Sequence, residues 1–185
     1  MHAQQLILLV IIIVGGISII GSYIYGFRAH HNNANSLWGR APKILRLINL
    51  PFMILAAIGF IVFSCFILFH LNPDEVRIAN SFGFYVFHII FALILIPSAF
   101  WMPLTFAMIN RPKTGLWIGI RLVLAIVGIS SLALLLVLLN LNINESGLIY
   151  WFAIGGAVAF SIQTVLFDTL LWPIFFLPSL DKQAV

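Results

Sequence analysis

Apolar residues do not alternate along this chain; they run. Uncharged stretches extend from Leu6 to Ile24, from Ile48 to Phe69 and from Phe82 to Ile109. Leu116 to Leu141 and Gly147 to Leu177 are equally apolar, each interrupted by a single charge, Arg121 and Asp168 respectively. About 20 mostly apolar residues let a helix cross the hydrocarbon core, so each run predicts a transmembrane helix. The period-2 alternation of a membrane barrel is absent. Backbone N–H and C=O groups in lipid must be satisfied within their own segment, which selects helix. The expected fold class is therefore all-α, a polytopic integral membrane protein with a five-transmembrane-helix bundle. Its predicted spans are 6–24, 48–69, 82–106, 116–141 and 148–172. Proline sets the trimming, because it removes a helical hydrogen bond and crowds the preceding turn. Pro97 and Pro103 interrupt the third run, with a kink expected near Pro97. Pro173 and Pro178 end the fifth, leaving Ile174 to Leu177 at the interface.

The connections are too short to fold separately, so residues 1–185 read as a single membrane domain. Arg28, Arg40, Lys43, Arg46, Arg111, Lys113 and Lys182 fall on one side of the predicted bundle and only Arg77 on the other. The positive-inside rule then places the N-terminus outside and the C-terminus in the cytoplasm. Tyr23, Trp38, Trp117, Tyr150, Trp151 and Trp172 flank span ends, where interfacial aromatics belong. Met1 to Gln5 carry no Lys or Arg, and no small-x-small site follows the first run, so that run reads as a retained span. A multi-pass protein of the bacterial inner (plasma) membrane is the expected localisation.

Composition agrees with lipid as the solvent. Of the residues 63% are hydrophobic and 8% charged, against about 25% charged in soluble domains. The net charge of +4 comes from cations scattered between apolar runs; without a basic cluster interleaved with aromatics, nucleic acid is not an expected partner. The lone Cys65 lies in an apolar run and reads as a small hydrophobe. Asn144-Glu145-Ser146 matches a glycosylation sequon on the outer side, in a loop so short that a chance match is the better reading. No internal repeat supports an inverted-repeat transporter.

Chemistry is sought first among ionisable residues within spans, which are costly to bury. These are His88, Arg121 and Asp168. Arg121 lies roughly 8 Å and Asp168 roughly 6 Å inside the cytoplasmic ends of consecutive, antiparallel spans, at 1.5 Å per residue. Equal depth on neighbouring helices predicts a buried Arg121–Asp168 pair, the alternative being a ligand site or proton path. Ala157, Ser161, Thr164, Asp168 and Trp172 share one helix face by their spacing, and small and hydroxyl residues on one face mark helix contact in membranes. Gly119, Gly128, Ser130 and Ser131 in the fourth span, and Gly15, Gly16 and Gly21 in the first, fit the same role. His70 and His88 lie near the outer ends of spans two and three. Two histidines without a carboxylate or Cys partner form only a weak metal candidate, and a hydrogen-bonded role is the plainer reading. His30 and His31 are adjacent loop residues. No nucleophile–base, phosphate-loop or zinc-protease motif is present, and enzyme activity ranks last among the readings.

Ser98-Ala99-Phe100-Trp101-Met102-Pro103-Leu104-Thr105-Phe106, followed by the basic turn Asn110-Arg111-Pro112-Lys113, resembles the third-span end of the TspO family of tryptophan-rich sensory and translocator proteins. The resemblance covers the C-terminal half and implies a five-helix fold with a pocket for tetrapyrroles or sterol-like molecules. The family's Pro- and Trp-rich entry to span two is reduced here to Ala41-Pro42 and Leu50-Pro51-Phe52, and span two carries no Trp or Tyr. The leading expectation is thus binding or sensing of a lipophilic small molecule, with Trp38, Trp101, Asp168 and Trp172 as liners. An accessory or scaffold subunit of a larger membrane complex is the alternative, and a small proton-coupled transporter the next. Expected partners are the lipid bilayer, a lipophilic ligand, and a second copy or another membrane protein. The sequence identifies no cofactor.

Overall fold

The computed structural model describes residues 2–29, 37–79, 81–142 and 147–180. Helices α1 (Ala3–Ala29), α2 (Lys43–Phe69), α3 (Tyr85–Asn110), α4 (Thr114–Leu139) and α5 (Leu148–Ser161) follow in order. A π-helical segment (Ile162–Leu171) continues α5 and leads into α6 (Trp172–Leu180). Counting Leu148 to Phe176 as one, five helices are long and apolar enough to cross a membrane. At 1.5 Å per residue the first four are about 40 Å long, more than the ~30 Å hydrocarbon thickness. Their outer faces are apolar as well; Ile17, Ile61 and Ile129 are 66%, 62% and 68% exposed. Such rows suit lipid and not water. An integral membrane protein is what these helices describe.

The prolines act less strongly than their positions predict. Pro97 and Pro103 lie inside α3, which runs on to Asn110 rather than stopping at residue 106. Pro173 does not end the fifth helix, because α6 carries the chain helically to Leu180. Neighbouring helices and hydroxyl groups can absorb freed backbone groups in an apolar setting. Ser98 and Thr105 both turn their hydroxyls onto carbonyls four residues back, at 2.6 and 2.7 Å.

The helices form a ring in the order α1, α3, α4, α5, α2, which closes only lightly between α2 and α1. The predicted neighbours α4 and α5 do pack together. Glycine fixes the closest crossing. A β-carbon on Gly156 would lie 2.8 Å from the Gly59 carbonyl oxygen and 2.9 Å from its Cα, so α5 and α2 touch backbone to backbone. At one end of the bundle, Gln5 Nε2 donates to the Leu71 carbonyl at 3.1 Å and His88 Nε2 meets the Gln4 carbonyl at 2.7 Å. Ala79 N–H donates to Asn140 O there, and Asn142 N–H to Arg77 O, both at 3.1 Å. The other end carries Arg28, Arg40, Lys43, Arg46, Arg111 and Lys113 and is called the basic end. His30, His31, Lys182 and the Asn144 sequon lie outside the described residues.

Apolar packing falls into two clusters. One centres on Phe63, Phe87, Phe91, Leu134 and Ala153. The second, at the basic end, centres on Leu37, Met102, Phe106, Ile120 and Phe176. The two clusters draw on opposite stretches of α4 and of the α5–α6 run, and the polar residues Ser131, Ser161, Gln163 and Thr164 fall between those stretches. A polar stratum thus separates two apolar cores.

Candidate functional site

The polar stratum is built on the π-helical segment. Ser131 Oγ and Thr164 Oγ1 are 2.7 Å apart across α4 and the segment, and Ser161 Oγ donates to the Ser131 carbonyl at 3.1 Å. Thr169 Oγ1 lies 2.9 Å from the Leu124 carbonyl and 2.7 Å from that of Thr164. Gly128 admits this close approach, since a β-carbon there would stand 2.9 Å from Thr169 Oγ1.

Two side-chain bonds in the segment span five residues. Gln163 Nε2 donates to Asp168 Oδ1 at 2.9 Å, and Thr169 bonds the Thr164 carbonyl. In an α-helix, positions five apart point about 140° away from each other at ~100° per residue. The i→i+5 pattern of a π-helix brings them onto one side. The wider turn and its side chains therefore support one another.

This register overturns the expected Arg121–Asp168 pair. Arg121 is exposed, and its Nη1 donates to the Thr169 carbonyl at 3.3 Å. Pro173 has no N–H to offer the carbonyl four residues back, and Arg121 reaches that oxygen. Asp168 instead takes its bond from Gln163, and among the described residues no Lys or Arg forms an ion pair with it. Equal depth held, since Arg121 reaches the carbonyl of the residue next to Asp168, but its partner is that backbone oxygen and not the carboxylate.

Aromatic side chains gather around Trp101 and Trp172 at the basic end. Trp172 packs edge-to-face on Trp101 with ring centres 5.7 Å apart, and Tyr23 of α1 lies 5.9 Å from Trp101 on another side. Trp172 also stacks on Phe176 at 4.3 Å, and its Nε1 donates to the Leu37 carbonyl at 2.8 Å. Of the four expected liners, Trp101 and Trp172 are in contact, while Asp168 is bonded to Gln163. Trp38 is placed next to Trp172 by the Leu37 contact, with the Arg46 guanidinium 6.0 Å from its ring centre. Trp101 Nε1 and Gln163 Oε1 are buried without a partner, as are Gln4 Oε1, Asn49 Oδ1 and Ser64 Oγ.

Gln163, Thr169 and Tyr23 were not among the expected site residues. An amide five residues before an acid in an apolar run is a signal for Gln163; Tyr23 reads in sequence only as an interfacial aromatic. At the opposite end, His70 stacks on Phe66 and His88 bonds Gln4, so the two histidines are engaged separately. Among the described residues no three His, Cys, Asp or Glu side chains are grouped to hold a metal. No protein family, curated protein or solved structure matches the chain.

Proposed function

We propose that this protein is a multi-pass membrane protein, N-terminus outside and C-terminus cytoplasmic, that binds or senses a lipophilic small molecule at its basic end. The orientation rests on the Lys and Arg asymmetry. The observation that carries the binding reading is the buried, unpartnered Nε1 of Trp101, on a ring packed against Tyr23 and Trp172, with Gln163 Oε1 a second unpartnered atom on the side chain that bonds Asp168. An unmet polar group in an apolar setting costs about 1–3 kcal/mol, and a ligand that bonds it recovers that cost. π-Helical turns are frequent at functional sites, and the one here carries Gln163 and Asp168. Kinship with the TspO family, and with it a tetrapyrrole- or sterol-like ligand, belongs to this reading on the strength of the Trp101 to Phe106 motif.

The test is a ligand search on protein purified in mild detergent. Mass spectrometry of the extract, together with a visible absorption scan, should find one lipophilic species near equimolar amount. Trp101→Leu with Gln163→Leu should lose it while the protein stays monodisperse. Protein that is reproducibly empty, and whose tryptophan fluorescence responds to no added tetrapyrrole or sterol, would leave the scaffold reading in its place.

Small proton-coupled transport is a second reading, favoured by the lack of an ion pair at Asp168. Proton flux into liposomes that depends on Asp168 would support it.

A further inference from the structure

Hydrogen bonding around the π-helical segment leaves an acceptor over. Gln163 is 6% exposed and spends its Nε2 on Asp168 Oδ1 at 2.9 Å, while its Oε1 is buried without a donor. The nearby hydroxyls are spent elsewhere. Ser161 bonds the Ser131 carbonyl, Thr164 bonds Ser131 and the Phe160 carbonyl, and Thr169 bonds the carbonyls of Leu124 and Thr164. An ionised carboxylate only accepts and cannot supply the missing donor, whereas a protonated carboxyl donates through its O–H. Exchanging the oxygen and nitrogen of the amide does not remove the need. An amide oxygen would then face Asp168 Oδ1 at the same 2.9 Å, acceptor against acceptor.

No fixed charge takes the proton's place. The segment packs on α2, α4, α5 and α6, and α3 and α1 adjoin its end through Trp101. From α4 comes Arg121, given to the Thr169 carbonyl. From α2 come Lys43 and Arg46 at its start, Arg46 turned to the carbonyls of Ala41 and Gly39 at 3.0 and 3.3 Å, and Cys65 toward its other end. Tyr85 and His88 of α3 and Tyr150 of α5 stand near the opposite end of the bundle, and α6 has no ionisable side chain. Tyr23 of α1 lies against Trp101. Among the described residues the one ion pair, His2 with Asp74 at 3.3 Å, is also at the opposite end. A carboxylate held in an apolar span without a compensating charge is costly. A proton taken up from water removes that charge.

We propose that Asp168 and Gln163 form a proton-binding site, occupied at neutral pH, in which the Asp168 carboxyl accepts the Gln163 N–H at one oxygen and donates its own proton from the other to Gln163 Oε1. The π-turn makes this pairing, since side chains five residues apart share a side only where the helix is widened. The site is independent of the lipophilic-ligand reading. It deepens the transport reading, for which it supplies the proton-loaded state.

Infrared spectra of the full-length protein in a neutral detergent, with and without isotope-labelled aspartate, read the carboxyl directly. At neutral pH the C=O band of a protonated carboxyl should be present and should shift on labelling. Asp168→Asn should lose it. Gln163→Leu should move it to higher frequency, because the carboxyl then loses both hydrogen bonds. Absence of the band at neutral pH, or its survival in Asp168→Asn, overturns the site. A band that Gln163→Leu leaves unmoved overturns the pairing. Should Asp168→Asn not fold, the isotope shift and the Gln163→Leu shift decide, because an exposed Asp such as Asp74 is ionised at neutral pH. The band reports occupancy alone, so absent proton flux into liposomes with the band present overturns only the transport reading.

Discussion

Replacing Gly156 by alanine, with Gly155→Ala as its control, tests how α2 and α5 are joined. The two glycines are adjacent in sequence, yet a β-carbon at Gly155 meets nothing within 4 Å, while one at Gly156 would lie 2.8 Å from the Gly59 oxygen and 2.9 Å from its Cα. Ordinary contact begins near 3.4 Å, so the backbones must part by about 0.5–0.6 Å (3.4 less 2.9, and 3.4 less 2.8). Neither obstacle can rotate away, because both are backbone atoms of a helix. A gap of ~0.5–1 Å forfeits a quarter to a half of each contact's attraction. The contacts at stake include Phe63 with Phe160 at 5.7 Å and Phe52 with Phe167 at 5.1 Å. Overpacking of this kind costs about 1–3 kcal/mol, and removing a helix-interior glycine returns about 0.5–1 kcal/mol. The net expectation is a loss of about 0.5–2 kcal/mol for Gly156→Ala, and a gain of about 0.5–1 kcal/mol for Gly155→Ala, which keeps only the second effect. Gly59→Ala should resemble Gly156→Ala, and the double variant should lose less than the sum, since one separation accommodates both methyl groups. Unfolding free energies in mixed micelles read all four. Equal, stabilising effects at Gly155 and Gly156 would refute the backbone contact.

Arg121→Gln and Asp168→Asn should couple by less than about 1 kcal/mol in a double-mutant cycle, where partners in a buried ion pair cost ~3–5 kcal/mol when separated; a larger coupling energy would restore the pair. Ser131→Ala removes an interhelical hydroxyl contact and should destabilise by roughly 0.6 kcal/mol, up to ~1.7, measured by the same unfolding assay; no change would mean that Thr164 is satisfied by its own helix. His88→Ala should lower thermal stability by freeing the start of α1 from α3, whereas His70→Ala should not, and elemental analysis should find the same metal content in both. In a Cys65→Ser background, single cysteines at Asn110 and Glu75 should react with a membrane-impermeant maleimide from opposite faces of sealed vesicles. Labelling of both from one face would contradict the proposed topology.

The number and placing of the long helices are legible in the sequence, because crossing length and hydropathy are properties of a linear segment. The runs beginning at Leu6, Ile48, Phe82, Leu116 and Gly147 all became helices. Their ends moved by several residues wherever proline was read as a stop, since neighbouring groups can take up a lost hydrogen bond. The approach of Trp101 to Trp172 was also accessible, as both lie near the same end of their spans. What the chain could not reveal depends on rotation and on which helix lies next to which. A face assigned at ~100° per residue assumes α geometry, and the π-helical segment broke that assumption, giving Asp168 to Gln163 and the Thr169 carbonyl to Arg121. Likewise Gly59 and Gly156 are unremarked glycines until α2 crosses α5, and Tyr23 is an interfacial aromatic until α1 packs on α3. Contacts between distant segments are settled by how whole helices fit together, and that fit is decided by the tertiary structure.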